Sequence, residues 1–395
     1  MPGSVPRPAT LAPLDVPAPF PPAPARARRR ALVARLSTWF EANARDLPWR
    51  RTRDPYGIWI SEAMLQQTRV ETVVDYWRRF MARFPDAGAL ARADLDDVLE
   101  QWSGLGYYRR ARSLHAAAQK LIEAGSGTFP RTREEILELP GVGPYTAGAV
   151  LSIAFDLPEP LVDGNVERVF ARLFELAVPP DSPAFRRHVW ALAGLFVADS
   201  DSPRVWNQAL MELGATICTP RVPRCDACPL ARSCRAKRAK RQEELPLKKL
   251  KRASVPVELE ILVVARGSDW LVRRRPPGGR MAGLFEFPTR EVGVEGAPPT
   301  GLFPESWPVG AEGAIWLEPQ QHASPLAELR HAITHHRIRG RVLAGRMTGG
   351  SGLPEGFAWL SGGDPGDSRR RPAITGMTRK VLERLARLDR SAALE

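Results

Sequence analysis

Outside positions 218–234 the 395-residue chain has no cysteine at all. It also lacks any apolar run near the roughly 18 residues that a membrane span requires. Residues 1–30 lack the apolar core of a secretory signal. A membrane-spanning protein and an exported one are both disfavoured, and with export goes the usual setting for structural disulfides. Acidic residues are in short supply: 44 Asp and Glu against 57 Lys and Arg leave a net charge of +13. The isoelectric point is about 10.2. Part of this reflects an arginine-rich composition, but it favours a polyanionic partner, with nucleic acid ahead of an acidic membrane.

What cysteine there is sits in one place. Cys218, Cys225, Cys228 and Cys234 follow the pattern C-x6-C-x2-C-x5-C. Four thiols crowded together and used nowhere else point to one metal site. Thiolates in a group of four suit zinc or a 4Fe–4S cluster. Structural zinc usually takes two close C-x2-C pairs. Only Cys225 and Cys228 form one here, so the spacing leans toward iron–sulfur without deciding between the two.

Four segments can be read along the chain. Residues 1–30 are rich in proline and end in arginine, which suits a disordered basic tail. From Ala31 to Cys234 the pattern is helical. Val70, Val73, Val74, Trp77, Phe80, Met81 and Phe84 form one apolar stripe, and Ser61 suits an N-cap with Glu62 in the first turn. Further helices are predicted near Ala111–Glu123, Glu134–Leu139, Thr146–Phe155, Val166–Leu176, Ala184–Val197 and Trp206–Ile217. Residues 235–254, with nine basic and two acidic residues up to Arg252, read as an exposed basic linker. After it the signal turns to short strands at Val257–Ala265, Trp270–Arg274 and Leu284–Phe287, with a closing helix at Val381–Leu388. The expectation is an all-α domain over 31–234 and an α+β domain over 255–395.

Two motifs carry chemistry. Leu139–Val150 places Gly141 and Gly143 in a tight turn between helices, with Pro144 where a helix can begin without a missed donor. Such a helix–hairpin–helix lets backbone N–H groups approach a phosphate. Further on, Asp163 stands just before a helix in Leu161–Val169, where an Asp-Gly-Asn also suits a simple cap or turn. A hairpin, an Asp about 20 residues on and a four-cysteine loop occur in the order of one superfamily. The chain resembles the helix–hairpin–helix DNA glycosylases related to endonuclease III. Within them it is similar to the adenine DNA glycosylase (MutY) family. Six ordered segments carry that resemblance: Arg45–Arg50, Ser61–Thr68, Gly104–Arg112, Leu139–Ala149, Leu161–Val166 and the Cys218–Cys234 loop. The match is strong over 31–240 and weak over 255–390.

The resemblance implies a helical glycosylase domain with a hairpin at 139–150 and an iron–sulfur loop at 218–234, followed by an α+β Nudix-like domain. It implies a 4Fe–4S cluster on the four cysteines. Glu62 matches the general acid that protonates adenine N7, and Asp163 the carboxylate that stabilises the cationic sugar. Tyr145 and Asn165 match supporting groups. Hydrolysing an N-glycosidic bond needs both leaving-group protonation and cation stabilisation, which two carboxylates in different environments can divide. Bifunctional relatives carry lysine at position 145, so a glycosylase without true lyase activity is expected. A lysine that many relatives place after Asp163 is Glu167 here. Gln66, Gln67, Leu105 and Tyr107 match intercalating positions, and Arg45, Trp49 and Arg50 match residues near the flipped base.

The C-terminal domain resembles the Nudix-like module that reads 8-oxoguanine, without the box that pyrophosphate hydrolysis needs. Its lesion-reading loop, usually Phe-Ser-His, is here Ile333, Thr334 and His335. Thr334 keeps a hydroxyl for the lesion's altered edge, while Ile333 loses aromatic stacking. The expected partner is double-stranded DNA with A:8-oxoG or A:G mispairs, bound by a cytoplasmic monomer with no membrane role. Two rivals are a thymine or uracil mismatch glycosylase and a redox-sensing iron–sulfur DNA-binding protein without catalysis.

Overall fold

Asp54 and Pro55 open the helix that matters most. The Asp54 side chain accepts from the N–H groups of Tyr56 and Gly57, and Pro55 takes the first-turn position where no donor is missed. The computed structural model describes residues 22–125, 127–248, 253–276, 281–294, 299–305, 307, 316–320, 324–333, 335–348, 353, 355–361 and 374–392. In chain order the helices are α1 (Arg26–Asn43), α2 (Pro55–Leu65), α3 (Val70–Arg83), α4 (Ala87–Arg92), α5 (Leu95–Gln101), α6 (Arg109–Glu123), α7 (Arg133–Leu137), α8 (Pro144–Phe155), α9 (Gly164–Phe174), α10 (Pro183–Ala198), α11 (Pro203–Thr216), the short α12 (Arg235–Arg238) and α13 (Gly376–Ala392). None of those described is long and apolar enough to cross a membrane.

The chain divides into two units. One comprises Met1–Met81, Asp86–Gly88 and Ala117–Leu250; the other comprises Ala82–Pro85, Ala89–Ala116 and Lys251–Glu395. A linear boundary near residue 235 therefore misses that Ala89–Ala116 packs with the C-terminal residues. Within that second unit, Arg112 Nη2 donates to Ala282 O at 2.6 Å. Arg379 Nη2 likewise donates to Ser103 Oγ at 2.9 Å.

In the first unit, α1, α8, α9, α10 and α11 share one core that includes Leu36, Ala149, Phe170, Phe196, Trp206 and Leu213. Phe196 stacks on Trp206 with centroids 5.4 Å apart. Truncating such a buried ring to alanine typically costs about 3–5 kcal/mol. Two glycines set how closely the elements approach. A Cβ at Gly148 would lie 2.0 Å from the Pro160 carbonyl oxygen, and one at Gly214 would lie 2.5 Å from Asn165 Cβ. Both sites bring backbone next to the residues that line the site described below.

Three expectations need correction. The basic tail was placed over 1–30, yet α1 starts at Arg26. Arg26 and Arg29 donate to the two oxygens of the buried Asp199 at 2.9 and 2.6 Å. Their charge is thus paired, and the helix begins earlier than the apolar stripe suggests. Residues 1–21 lie outside the described residues. Ser61 is not an N-cap. It and Glu62 sit in the last two turns of α2, and the Ser61 hydroxyl donates back to Ile58 O at 2.7 Å. The basic run after Cys234 is not an exposed linker up to Lys248: Ala236 is 0% and Leu245 1% exposed. The buried guanidinium of Arg172 donates to Leu245 O at 2.8 Å. Two apolar side chains and one carbonyl are enough to dock it.

The second unit carries two sheets. Strand β1 (Val255–Val263) pairs antiparallel with β5 (Thr289–Val292) and parallel with β8 (His336–Thr348). Strands β6 (Trp316–Pro319) and β7 (Ala327–Ile333) both pair antiparallel with β8. The smaller sheet joins β2 (Ala265–Arg266), β3 (Asp269–Arg274), β4 (Phe285–Glu286) and β9 (Phe357–Ser361). Period-two burial is clear in β8, where His336, Ile338, Gly340 and Val342 are buried and Arg337, Arg339 and Arg341 are exposed. Ile338 and Val342 share a core with Val257, Leu259, Met377 and Val381, so α13 covers that face. The expected α+β class holds. Of the segment expected as a lesion-reading loop, Ile333 ends β7 and His335 stands in a turn before β8 opens at His336. Thr334 lies outside the described residues.

Candidate active site

The first unit encloses a cavity of about 520 Å³. Nine residues singled out from the sequence line it: Arg45, Trp49, Arg50, Glu62, Gln66, Gln67, Tyr145, Asp163 and Asn165. Three come from α2, its C-cap and the residue beyond, one from α8, two from α9 and its cap, and three precede α2.

Glu62 is 4% exposed, and burial pushes its carboxyl up to about 7. Tyr145 Oη donates to Glu62 Oε2 at 2.5 Å, which opposes that rise; the negative charge of Asp163 adds to it and Arg50 opposes it. Glu62 also lies near the C-terminus of α2, where the helix dipole disfavours a carboxylate. The Tyr145 phenol is held well above its ordinary value by burial and by both carboxylates, so it stays a donor.

Asp163 is placed differently. It is the N-cap of α9, so its cap role and its place in the cavity coexist. Its Oδ1 accepts from Asn165 N at 2.9 Å and Val166 N at 2.8 Å, and its Oδ2 from Asn165 Nδ2 at 2.7 Å. Burial pushes its carboxyl up, while these donors and the charge of Arg168 resist. The positive end of α9 favours its ionised form as well. Asn165 Oδ1 in turn accepts from Arg168 Nη2 at 2.7 Å. Arg168 also donates to Gly214 O and Cys218 O, at 2.8 and 2.7 Å.

Sequence reasoning missed Glu212, which is 0% exposed and lines the same cavity. Arg45 Nε and Nη2 each donate to it at 2.8 Å, and Arg50 Nη2 donates at 2.7 Å. Burial pushes this carboxyl up, but the two guanidiniums outweigh it and hold it at about 2. Arg45 and Arg50 are therefore anchored cations. The one signal available was that Glu212 is the sole acid of α11. Trp49 is buried and meets Trp77 edge-on at 6.1 Å.

Other expected residues lie elsewhere. Gly141 adopts φ +78°, which requires glycine, and Gly143 caps α8 at the hairpin between α7 and α8. Leu105 is 6% exposed and Tyr107 57% exposed, and both belong to the second unit. His335 is there too, its ring 4.1 Å from that of His336.

All four cysteines are free thiols, half-buried in the first unit, which removes the disulfide alternative. The other thiols and burial push Cys228 up: burial is the larger cause, and the value reaches about 12. Arg172 Nη1 donates to Cys218 Sγ at 3.3 Å. Burial also raises Cys225 and Cys234, and thiols so placed, with a guanidinium against Cys218, are a donor set that a soft cation would stabilise as thiolates. Among the described residues no group of three or more His, Cys, Asp or Glu side chains is drawn together as a ready-made site for one metal ion.

Residues 60–193 match the HhH-GPD superfamily of base excision DNA repair proteins. The chain is similar to the mouse (Mus musculus) protein named adenine DNA glycosylase, 47% identical over 204 residues, covering 49% of this chain and 39% of that one. The human (Homo sapiens) protein of that name is 34% identical over 384 residues, covering 82% of this chain and 69% of its own. One from Buchnera aphidicola is 34% identical over 261 residues, covering 66% and 75%. The match thus spans about two fifths of the mouse relative's length but more than two thirds of the other two. With that coverage, and with Glu62, Tyr145, Asp163 and Asn165 of the cavity lying within residues 60–193, the chain belongs to the adenine DNA glycosylase family.

Proposed function

We propose that the chain is a monofunctional DNA N-glycosylase that hydrolyses the bond between adenine and its sugar in A:8-oxoG or A:G mispairs. The observation that carries this reading is the convergence of Glu62, Tyr145, Asp163 and Asn165 in one cavity large enough for a base. A carboxyl near 7 can donate a proton at neutral pH, whereas an ordinary one cannot. On this reading Glu62 gives its proton to adenine N7 as the C1′–N9 bond breaks. Asp163 faces the cationic sugar, with its charge held by three donors. Water then adds at C1′ and returns a proton to Glu62. Tyr145 orients Glu62 and offers no amine, so no Schiff base can form there.

The cysteine loop is proposed to hold a 4Fe–4S cluster on Cys218, Cys225, Cys228 and Cys234. Such a cluster would brace the loop, since hydrolysis moves no electrons. A cube also needs its sulfurs wider apart than the about 3.8 Å that bonds of about 2.3 Å to one zinc would impose. The lesion is proposed to be read in the second unit by Thr334 and His335, at the end of a Nudix-like domain. DNA is expected to meet the Gly141–Gly143 turn with its backbone; in the first unit the exposed Gln66 and Gln67, and in the second Leu105 and the exposed Tyr107, are each proposed to contact it.

The test measures free adenine released from duplexes carrying A opposite 8-oxoguanine, G, C or T. Release opposite 8-oxoguanine and G is expected. Absence of free adenine from every duplex overturns the reading, and release of thymine or uracil instead moves the chain to the mismatch glycosylases.

A further inference from the structure

We propose that Arg330, Arg337 and Arg339, on the exposed face of the β7–β8 pair, form a ladder that docks the phosphate backbone of duplex DNA. The inference rests on the DNA-repair reading and adds where the second unit grips the duplex. Three observations carry it. Arg330 on β7 is directly opposite Arg339 on β8, and both are exposed. Like charges so placed repel, and a sheet gains nothing from them unless an anion arrives. Arg337 follows two residues from Arg339, about 6.7 Å along the strand, close to the step between successive phosphates of one DNA strand. Among the described residues none of the three arginines pairs with a carboxylate. The neighbouring Arg341 does, donating to Glu260 at 2.7 Å together with Arg290 at 2.8 Å. The nearest acid in register is Glu258, opposite Arg339 on β1. Glu328, two residues before Arg330 on β7 and opposite Arg341, is the other acid of this face, so its four arginines still outnumber its two acids.

These arginines line an open cleft of about 670 Å³, with His331 and Lys380 on its wall. Among the described residues no Trp, Tyr or Phe lines it. An acidic protein surface would usually find an aromatic anchor at such a place, whereas a phosphate backbone asks only for spaced cations.

The test is equilibrium binding of the full chain to an undamaged duplex between about 50 and 200 mM salt. The variant Arg330→Gln/Arg337→Gln/Arg339→Gln should lower the slope of log affinity against log salt by about 2.7, at about 0.9 per phosphate released. The wild-type chain then loses about 40-fold more affinity over that range than the variant does. The variant should melt no lower than wild type, because it removes an opposed like-charge pair. Arg→Lys at the same three positions should keep the slope. An unchanged slope in the Gln variant overturns the ladder. So does an equal loss in the Lys variant, which marks a structural role for the guanidiniums. Unchanged DNA binding with lost binding to poly-glutamate assigns the face to an acidic protein and overturns it too. Adenine release is scored separately on an A:G duplex. If it is absent while the slope still drops, the ladder stands and the glycosylase reading falls.

Discussion

Replacing Glu62 by Gln tests acid catalysis and burial together. The substitution keeps shape and still offers Tyr145 an acceptor, but removes the titrating proton. An ordinary glutamate at pH 7 is about 0.3% protonated, whereas one held at about 7 is about half protonated. Burial therefore raises the supply of acid roughly 150-fold. Wild-type single-turnover adenine release should fall as pH rises through about 7. The Glu62→Gln rate should be lower by at least about 10²-fold and lack that limb.

Stability should move the other way. Native Glu62 holds its proton to about pH 7, while the unfolded chain releases it near 4.5. Between those values the native state binds more protons, so its stability falls as pH rises from about 4.5 through about 7. The Gln variant does not titrate and escapes that loss. Relative to wild type it should gain progressively over this window, reaching about 3 kcal/mol above pH 8. Melting and urea unfolding at pH 4.5, 6 and 8 would show it. A variant that excises adenine at near-normal rate, or that gains nothing on going from pH 4.5 to 8, refutes the reasoning.

Further outcomes are expected elsewhere in the molecule. Asp163→Asn should cut release by at least about 10²-fold, because the sugar cation loses its counter-charge, and unchanged single-turnover rates would contradict the assignment. Gly214→Ala brings a Cβ to 2.5 Å from Asn165 Cβ, so adenine release should drop before duplex affinity does; a fully active variant would show that α9 tolerates the shift. Purified protein should be brown, absorbing near roughly 400 nm, and a colourless protein with one zinc and no iron would exclude the cluster. Thr334→Val should cost about 1–3 kcal/mol of preference for 8-oxoguanine over guanine, measured by affinity for the two duplexes; an unchanged preference places lesion reading elsewhere.

The cavity was legible because its residues come in short ungapped runs: Arg45–Arg50, Ser61–Thr68, Leu139–Ala149 and Leu161–Val166. Each run is a helix terminus or a turn, where residue type is tightly constrained. Glu212 was missed because it sits in mid-helix, where an isolated acid in α11 looks like any other helical residue until its two arginines are seen. The start of α2 was misjudged for a different reason. Ser61 and Asp54 are both acceptable caps, and only the proline after Asp54 tells them apart. Strands β5 to β9 were not predicted. In β8 the alternation of Arg337, Arg339 and Arg341 with buried neighbours was readable at period two, but the histidines beside it suggested a loop. Nothing in the local sequence signals that Ala89–Ala116 packs with the C-terminal residues, because that is a contact between segments far apart along the chain.

Glu62 and Asp163 are separated by local geometry more than by distance from solvent. Both are pushed up by burial. Glu62 meets one strong donor, the Tyr145 hydroxyl, and stands at the negative end of α2. Asp163 meets three donors and stands at the positive end of α9. At Asp163 three donors and the positive helix end oppose burial, whereas at Glu62 burial, the charge of Asp163 and the negative helix end outweigh the Tyr145 donor and Arg50. That asymmetry assigns the proton donor and the cation partner without appeal to their order in the chain. It also makes the pair fragile in one direction. A change that strips donors from Asp163, such as displacement of Asn165, removes what resists burial there and raises that carboxyl further, weakening the anion that faces the sugar. Loss of the Asn165 or Arg168 contacts should therefore disable the site with Glu62 intact.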